Sequence, residues 1–391
     1  MKQAVILAAG EGLRLQPFTL SKPKAMLSIA GKPIIQYVIE SLAVHGIRNI
    51  IIVVGYQKEQ IFDYFGDGKR LEVELKYVTQ QQRLGTADAL NQARSEIQGD
   101  FLVLAGNKLI TSETIVNFVN VTPPAILVKK VDNPSRYGVI ALRDDKFIAI
   151  VEKPERAESN LINTGIYSFS DEIFSRIQSE LNIPDVINNI LKNGEPINLV
   201  ETDKAWLDVV YPWDILSLNS IILGSIAASQ NGVIEAGVYL KGHVSIGRDT
   251  IIRSNSYIVG PVVIGKGCEI GPNVCIFPST SIGDNTIISP FSEIENSVID
   301  NDIRIASNSV IQDSVIASGC VIGTHFSAAS DETEVKVDTE HHVIRIGSML
   351  GRGCRIGSNV TAQAGTIIGN YCQVKSPRSL TGVIPDRSLV L

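Results

Sequence analysis

The sequence is poor in nearly everything that would place it in an extreme class. Only 19% of its 391 residues are charged and the formal net charge is −6. It therefore lacks the basic footprint expected of a nucleic-acid partner or of contact with an anionic membrane. No run approaches the roughly 20 apolar residues that span a bilayer. The opening "MKQAVILAAGEG" is like a signal peptide only superficially, because the apolar run from Ala4 to Ala9 is too short and Glu11 and Arg14 follow at once. Histidines number five and show no ligand spacing; His341 and His342 are adjacent and would point apart on a strand. The five cysteines lie in the second half without a C-x-x-C pair, an odd count that favours reduced, space-filling thiols over a disulfide frame. These absences predict a cytoplasmic protein with no structural metal site, no nucleic-acid partner and no membrane partner.

A chain of this length predicts two domains. Up to about residue 230, strand-like and helix-like segments alternate. "QAVILAA" is followed by a glycine-bearing loop and by "KPIIQYVIESLAVHGI" with helical spacing. Then come "NIIIVVGY", "KEQIFDYF", "VELKYVTQ", "TADALNQARSEI" and "DFLVLAG". That order predicts an α/β, Rossmann-like domain with a mostly parallel sheet covered on both faces. Such sheets bind ligands outside the carboxyl ends of their strands, here at Gly10, Gln80 and Asn107.

After residue 230 the period changes. Ile246, Ile252, Ile258, Ile264, Ile270, Ile276, Ile282, Ile288 and Ile294 recur every six residues. A small or short residue follows four positions later: Thr250, Ser256, Val262, Cys268, Val274, Thr280, Thr286 and Ser292. The phase slips by one to Ile299, Ile305 and Ile311, slips again to Ile316 and Ile322, breaks, and returns at Leu350, Ile356, Ala362, Ile368 and Val374. A spacing of six fits neither a helix nor a long strand. It predicts a parallel β-helix of hexapeptide coils over residues 231–391, with residues 1–230 as the first domain. The segment "THFSAASDETEVKVDTEHHV" lacks the repeat and is expected to be a loop ejected from the coils.

The first loop reads "LAAGEGLRLQPFTLSKPKA". A glycine-rich loop after a strand lets backbone N–H groups approach phosphates. The whole string resembles the first motif of the sugar-1-phosphate nucleotidylyltransferase family, L-A-A-G-x-G-x-R-L-x-P-x-T followed by P-K. The resemblance implies that Leu7, Ala8, Ala9, Gly10 and Gly12 bind the nucleotide, and that Arg14 and Lys24 are catalytic. "QQQRLGTADAL" is similar to the base-recognition region, which implies roles for Gln80, Gly85 and Thr86. "YGVI" implies Gly138 at the sugar, "VEKP" implies Glu152 on a sugar hydroxyl with a catalytic Lys153 on the sugar phosphate, and "INTGIY" implies Asn163 as a further sugar ligand. "AWLDVVYPWDI" resembles W-x-D-x-G-x-P, making Asp208 a magnesium ligand by the same resemblance. The full chain is most similar to the archaeal-type two-domain members with a left-handed β-helix, related to the bifunctional enzyme that makes UDP-N-acetylglucosamine. The reaction so implied couples a nucleoside triphosphate, with UTP favoured by "GTADA", to a sugar 1-phosphate. It releases pyrophosphate with Mg2+ as cofactor, in a homotrimer assembled through the β-helix.

Three positions depart from that pattern. The family ends its fourth strand with Gly-Asp, whose Asp is the other metal ligand, and this chain has Gly106-Asn107. An amide oxygen can coordinate magnesium but brings no charge. Lys108 adds a positive charge, which either points away or stands in for part of the metal's charge. Val210 occupies a usual glycine. These changes leave a second reading, a paralogue that binds sugar nucleotide and regulates a partner. In the β-helix, "ASNSVIQDSVI" puts Ser307 where the acetyl-transferring relatives have a histidine, and His325 in "GTHFSAAS" is no clear replacement. Without a general base, acetyl transfer is not expected.

Overall fold

The computed structural model describes residues 2–337 and 340–391. They form two compact units. The first comprises the chain up to Glu11, Pro23–Met26 and Ile34–Asp208; the second comprises Gly12–Lys22, Leu27–Pro33 and Val209–Leu391.

The first unit is built on β1 (Gln3–Ala8), an apolar strand with β2 (Asn49–Val54) on one side and β4 (Phe101–Ala105) on the other, both parallel to it. β3 (Glu74–Thr79) continues the parallel half beyond β2. Each of the strands β1, β2 and β4 buries side chains on both faces. Ile6, Ile52 and Leu104 lie in one core with Ile35 and Ile39 of α1 (Ile34–Val44), and Val5, Val53 and Val103 lie in the other with Ile187. Burial on both faces is why these strands read as continuous apolar runs and not as alternation.

The other half of the sheet departs from the mostly parallel expectation. After the short β5 (Lys108–Ile110) and the strand β6 (Ala125–Lys130) come β7 (Gly138–Arg143) and β8 (Lys146–Glu152), which form an antiparallel hairpin. Its two-residue turn, Asp144-Asp145, has φ of 48° and 59°, and so short a link admits only antiparallel strands. β9 (Leu161–Phe169) runs antiparallel to β4, β6 and β7, so the described sheet is mixed. β10 (Asn198–Glu201) lies parallel to β6. Apart from this sheet, β11 (Trp206–Asp208) pairs with β5 as a two-stranded antiparallel ribbon.

The second unit is the left-handed parallel β-helix. Its described strands lie in three parallel sheets of nine, nine and eight, each coil contributing to the three in turn. The sixfold repeat is the stacking rule made visible. Ile246 pairs in register with Ile264 and then Ile282, Ile252 with Ile270 and then Ile288, and Ile258 with Ile276 and then Ile294. The phase slips are coils one residue shorter, since Ile282 stacks on Ile299 and Ile299 on Ile316. The small residue after each aliphatic one is buried at a corner, where Thr250 Oγ1 donates to the Gly265 carbonyl at 2.6 Å. Cys268, Cys320, Cys354 and Cys372 occupy the same kind of position, and each thiol donates to a backbone carbonyl of the next coil at 3.1–3.2 Å.

Coil strands begin at Ser229–Gln230, paired with Ser245–Ile246. Two details revise the ejected segment. Ser327–Ala328 is still a coil strand, and Asp331–Val337 with Glu340–Ile346 is a β-hairpin in place of an irregular loop. Residues 338 and 339, part of that expected loop, lie outside the described residues. α2 (Asp214–Leu223) also belongs to this unit. Its buried Asn219 accepts from the Ala30 N–H at 3.0 Å and donates to the Ser279 carbonyl at 2.8 Å.

Candidate nucleotide-transfer site

Leu7 and Ala8 end β1, and Ala9 and Gly10 come directly after it. Close packing here depends on glycine: a Cβ on Gly55 would lie 2.9 Å from the Ala9 carbonyl oxygen, and one on Gly106 would lie 3.2 Å from the Ala8 Cβ. Gly12 has φ of +70°, a left-handed conformation that favours glycine, and starts the short 3-10 turn Leu13–Leu15 that carries Arg14. Thr19 Oγ1 donates to the Gly12 carbonyl at 2.7 Å.

Three side chains of the first unit, Lys24, Asn107 and Lys108, gather around one carboxylate, that of Asp208. The β5–β11 ribbon sets Asp208 directly opposite Lys108. Asn107 Nδ2 donates to Asp208 Oδ1 at 2.9 Å, and Lys24 Nζ stands 3.8 Å from the same oxygen. Lys108 Nζ is 3.6 Å from Asp208 Oδ2, and the carboxylate side chain is 18% exposed. Burial opposes ionisation of Asp208, but Lys108 first and Lys24 next outweigh it, with Lys153 adding to them, so the carboxyl is held below its ordinary range. An ionised carboxylate only accepts hydrogen bonds, which fixes Asn107 with its NH2 toward Asp208.

Lys153 comes after β8 with φ of +44°, its N–H donating to the Tyr137 carbonyl at 3.0 Å. Glu152 is exposed and pairs across the hairpin with Gly138. A Cβ on Gly138 would come within 2.9 Å of Glu152 Oε2. Asn163 is buried and already engaged: Nδ2 donates to the Tyr167 hydroxyl at 2.8 Å, and Oδ1 accepts from the Gly165 N–H at 2.9 Å. It thereby holds the irregularity of β9 between Asn163 and Ile166.

The base-recognition string also forms a connected group. Gln80 is buried just after β3, and its Nε2 donates to Asp88 Oδ2 at 2.7 Å and to the Gly85 carbonyl at 3.1 Å. Gly85 has φ of +153°, and a Cβ there would sit 2.2 Å from the Leu181 carbonyl oxygen. That carbonyl accepts from Ala87 N at 2.8 Å, and Thr86 Oγ1 accepts from Ile183 N at 2.9 Å. Asp88, the partner of Gln80, lies in the same "GTADA" string but is not among the site residues that the sequence singles out.

In the second unit, Arg14 forms an ion pair with Glu340 at 3.4 Å. Glu340 lies in the hairpin that interrupts the coils and also accepts from the Tyr211 hydroxyl. His342 of the same strand lies against the rings of Tyr211 and Trp213, with centroids 4.4 Å and 5.2 Å apart. No sequence signal links Glu340 to Arg14, because only the fold brings them together. Val210 is not among the positive-φ residues, and its N–H donates to Asp214 at 2.8 Å, so the missing glycine imposes no strain there. His325 N–H donates to the Ser307 carbonyl at 3.0 Å, which places the two on neighbouring coils.

Among the described residues, no group of three His, Cys, Asp or Glu side chains is arranged to hold a metal ion. The donor set at Asp208 is one carboxylate whose two oxygens already face N–H groups of Asn107, Lys24 and Lys108. It does not fit a divalent ion held by the protein, which needs several oxygen ligands.

A glycine-bearing loop after a parallel strand, with two lysines beside one carboxylate, is suited to handling phosphate groups. The nucleotidyl transferase family profile matches residues 3–223, and a GMPPB C-terminal domain profile matches residues 258–343. The chain belongs to the nucleotidyl transferase family. It is 36% identical over 386 residues to the bifunctional protein GlmU of Methanococcus maripaludis, covering 94% of this chain and 92% of that one. It is 37% identical over 391 residues to the bifunctional sugar-1-phosphate nucleotidylyltransferase/acetyltransferase of Sulfurisphaera tokodaii, with 95% of each chain covered. A Bacillus anthracis chain, provisionally named a glucose-1-phosphate thymidylyltransferase and solved in complex with a sucrose, superposes with a TM-score of 0.53 at 26% identity. That match covers 58% of this chain and 97% of the other. These likenesses support nucleotidyl transfer over the binding-only reading.

Proposed function

We propose that the chain transfers a nucleotidyl group, uridylyl in the first instance, from a nucleoside triphosphate to a sugar 1-phosphate. A phosphate oxygen of the sugar bonds to the α-phosphorus, the bond from that phosphorus to the bridging oxygen breaks, and the electron pair leaves with pyrophosphate. Such chemistry is mainly positioning and neutralisation of charge. The observation that carries the reading is the cluster of Lys24, Asn107, Lys108 and Asp208, assembled from separate segments of a chain with full-length relatives named for this chemistry.

In this reading Lys24 and Arg14 meet the triphosphate, Lys153 meets the sugar phosphate, and the backbone from Leu7 to Gly10 with Gly12 lines the nucleotide. Gln80, Gly85 and Thr86 face the base, and Gly138 and Glu152 face the sugar. Asn163 shapes the sugar pocket through the β9 irregularity, as its amide already bonds Tyr167 and Gly165. Family members generally use a divalent metal. Asn107 and Asp208 are not assigned a metal between them, and a divalent ion carried by the triphosphate would supply charge neutralisation beside Lys24 and Arg14. No described helix is long and apolar enough to cross a membrane, and the cytoplasm, where its substrates would be made, is the setting this reading assigns. Residues 231–391 act as the assembly domain of a homotrimer without acetyl-transfer chemistry, since Ser307 stands at the expected histidine position.

Purified chain with Mg2+, a panel of nucleoside triphosphates and several sugar 1-phosphates tests this. Pyrophosphate should appear with at least one pair, fastest with UTP. A folded chain that releases none from any pair refutes the reading. Acetyl-CoA with a hexosamine 1-phosphate should give no free thiol, and light scattering should report three chains per particle.

A further inference from the structure

Lys108 is the side chain that the rest of the site least explains. It comes after Asn107, where a second carboxylate was expected, and the β5–β11 ribbon sets it across from Asp208. Its side chain is only 14% exposed. The ammonium donates to the Thr164 carbonyl at 2.9 Å, stands 3.6 Å from Asp208 Oδ2 and lies 4.9 Å from the centre of the Trp206 ring. Trp206 is itself fixed, because its indole N–H donates to the same Thr164 carbonyl at 3.1 Å. Gly165, with φ of +76°, leaves the space: a Cβ there would lie 3.0 Å from Lys108 Nζ. One hydrogen bond to a carbonyl, with a carboxylate and an aromatic face nearby, holds the ammonium in place without using all three of its N–H donors. This is a built position for a positive charge, unlike that of a solvated surface lysine.

The same contacts describe what Asp208 has left to offer. Oδ1 faces Asn107 Nδ2 and Lys24, and Oδ2 faces Lys108. A divalent ion there would have one carboxylate and two ammonium neighbours, whereas magnesium asks for near-octahedral oxygen at roughly 2.0–2.1 Å. Replacing the expected acidic residue by Asn107 removes a negative charge from this place, and Lys108 adds a positive one.

We propose that Lys108 occupies, beside Asp208, the place of a protein-held divalent ion. The protein then presents the Lys108 and Lys24 ammonium groups to the phosphates of the nucleoside triphosphate, and any divalent ion is held by the triphosphate alone. This rests on the reading that the cluster serves nucleotidyl transfer. Asp208 is then a positioning residue that anchors the two lysines. As the electron pair leaves with pyrophosphate, fixed ammonium groups offset the growing charge without giving up a proton.

The test reads metal and nucleotide binding directly. Mn2+ titrated into the nucleotide-free chain and followed by electron paramagnetic resonance should show no protein-bound ion up to about 1 mM, a range that would fill weak sites. Asn107→Asp combined with Lys108→Met should create a site that fills at least tenfold more tightly and is lost again on adding Asp208→Asn. UTP in EDTA, measured by calorimetry, should bind the unaltered chain and bind Lys108→Met at least tenfold more weakly, while Lys108→Arg retains most of the affinity. Micromolar binding of one Mn2+ per unaltered chain, abolished by Asp208→Asn, overturns the proposal. So does equal UTP affinity of Lys108→Met and the unaltered chain in EDTA. If Lys108→Met does not fold, the Mn2+ titration of the unaltered chain decides alone. Failure of the unaltered chain to bind any nucleoside triphosphate, with or without Mg2+, would bring down the substrate reading first and this inference with it.

Discussion

The two units of this chain solve the problem of burying apolar surface in opposite ways. The β-helix repeats one solution: a coil places isoleucines at fixed intervals, and each stacks on its counterpart in the next coil. The α/β unit repeats nothing, and its sheet mixes antiparallel with parallel pairs beyond β4. The two units therefore differ in how they can house chemistry. A repeating coil offers equivalent positions, whereas the irregular unit has strand ends, a hairpin and a two-stranded ribbon that bring unlike residues to one carboxylate. The contrast is one of stability carried by many equal contacts against a site carried by a few unequal ones.

The sharpest way to break that contrast is to damage each unit in turn. Ile288 is fully buried in the stacked core, and Ile288→Ala should cost roughly 2–5 kcal/mol as a cavity in a tightly packed interior. Denaturant unfolding monitored by circular dichroism would measure this, and an unchanged midpoint would show that Ile288 does not belong to a tightly packed stack. Lys24→Ala is the converse. It should lower kcat/KM for pyrophosphate release by about 10²–10³-fold, the size typical of losing one group that stabilises transition-state charge, and leave the unfolding midpoint nearly unaltered.

Smaller effects sharpen the picture within the α/β unit. Gly85→Ala puts a Cβ against the Leu181 carbonyl in a backbone region that side chains avoid. It should destabilise by about 1–3 kcal/mol and raise the KM for the nucleotide more than that for the sugar phosphate. Steady-state kinetics with each substrate varied in turn would check it, and an equal rise in both would refute a role at the base. The mildest is a pH effect. The Asp208 carboxyl is held below its ordinary range, so its contribution to stability is complete above the unfolded-state pKa, about 3.9, and is lost as pH falls through the lower folded value. Urea melts should therefore show Asp208→Asn destabilised relative to the unaltered chain at pH 6, with the gap closing below about pH 4. A gap that persists in acid would remove the charge argument.

Much of the fold was legible because it is written in local repetition. Six-residue spacing is incompatible with helix or single strand, so the coils could be traced to their phase slips, and those slips are the shorter coils at Ile299 and Ile316. The interruption was legible only as a lapse in the repeat. Its hairpin, carrying Glu340 to Arg14, depends on pairing that no periodic signal announces. The antiparallel half of the sheet was likewise hidden, since the turn at Asp144-Asp145 looks in sequence like any polar loop. In the site, the motif loop and its lysines were readable as phosphate-handling residues from glycine and charge. The internal bonds of Asn163 were not, because a turn asparagine and a ligand asparagine are the same letter.

By itself, the sequence determined the class of fold, the register of the coils and the family, since each rests on spacing and on strings of adjacent residues. Only the tertiary structure decided the state of Asp208. Its partner Asn107 lies 101 residues away, and the antiparallel register of a three-residue ribbon sets Lys108 opposite it. The charge on Lys108 was visible from the start. Its direction was not, because a side chain's aim is set by the Thr164 carbonyl, the Trp206 ring and the gap at Gly165, none of which is near it in the chain.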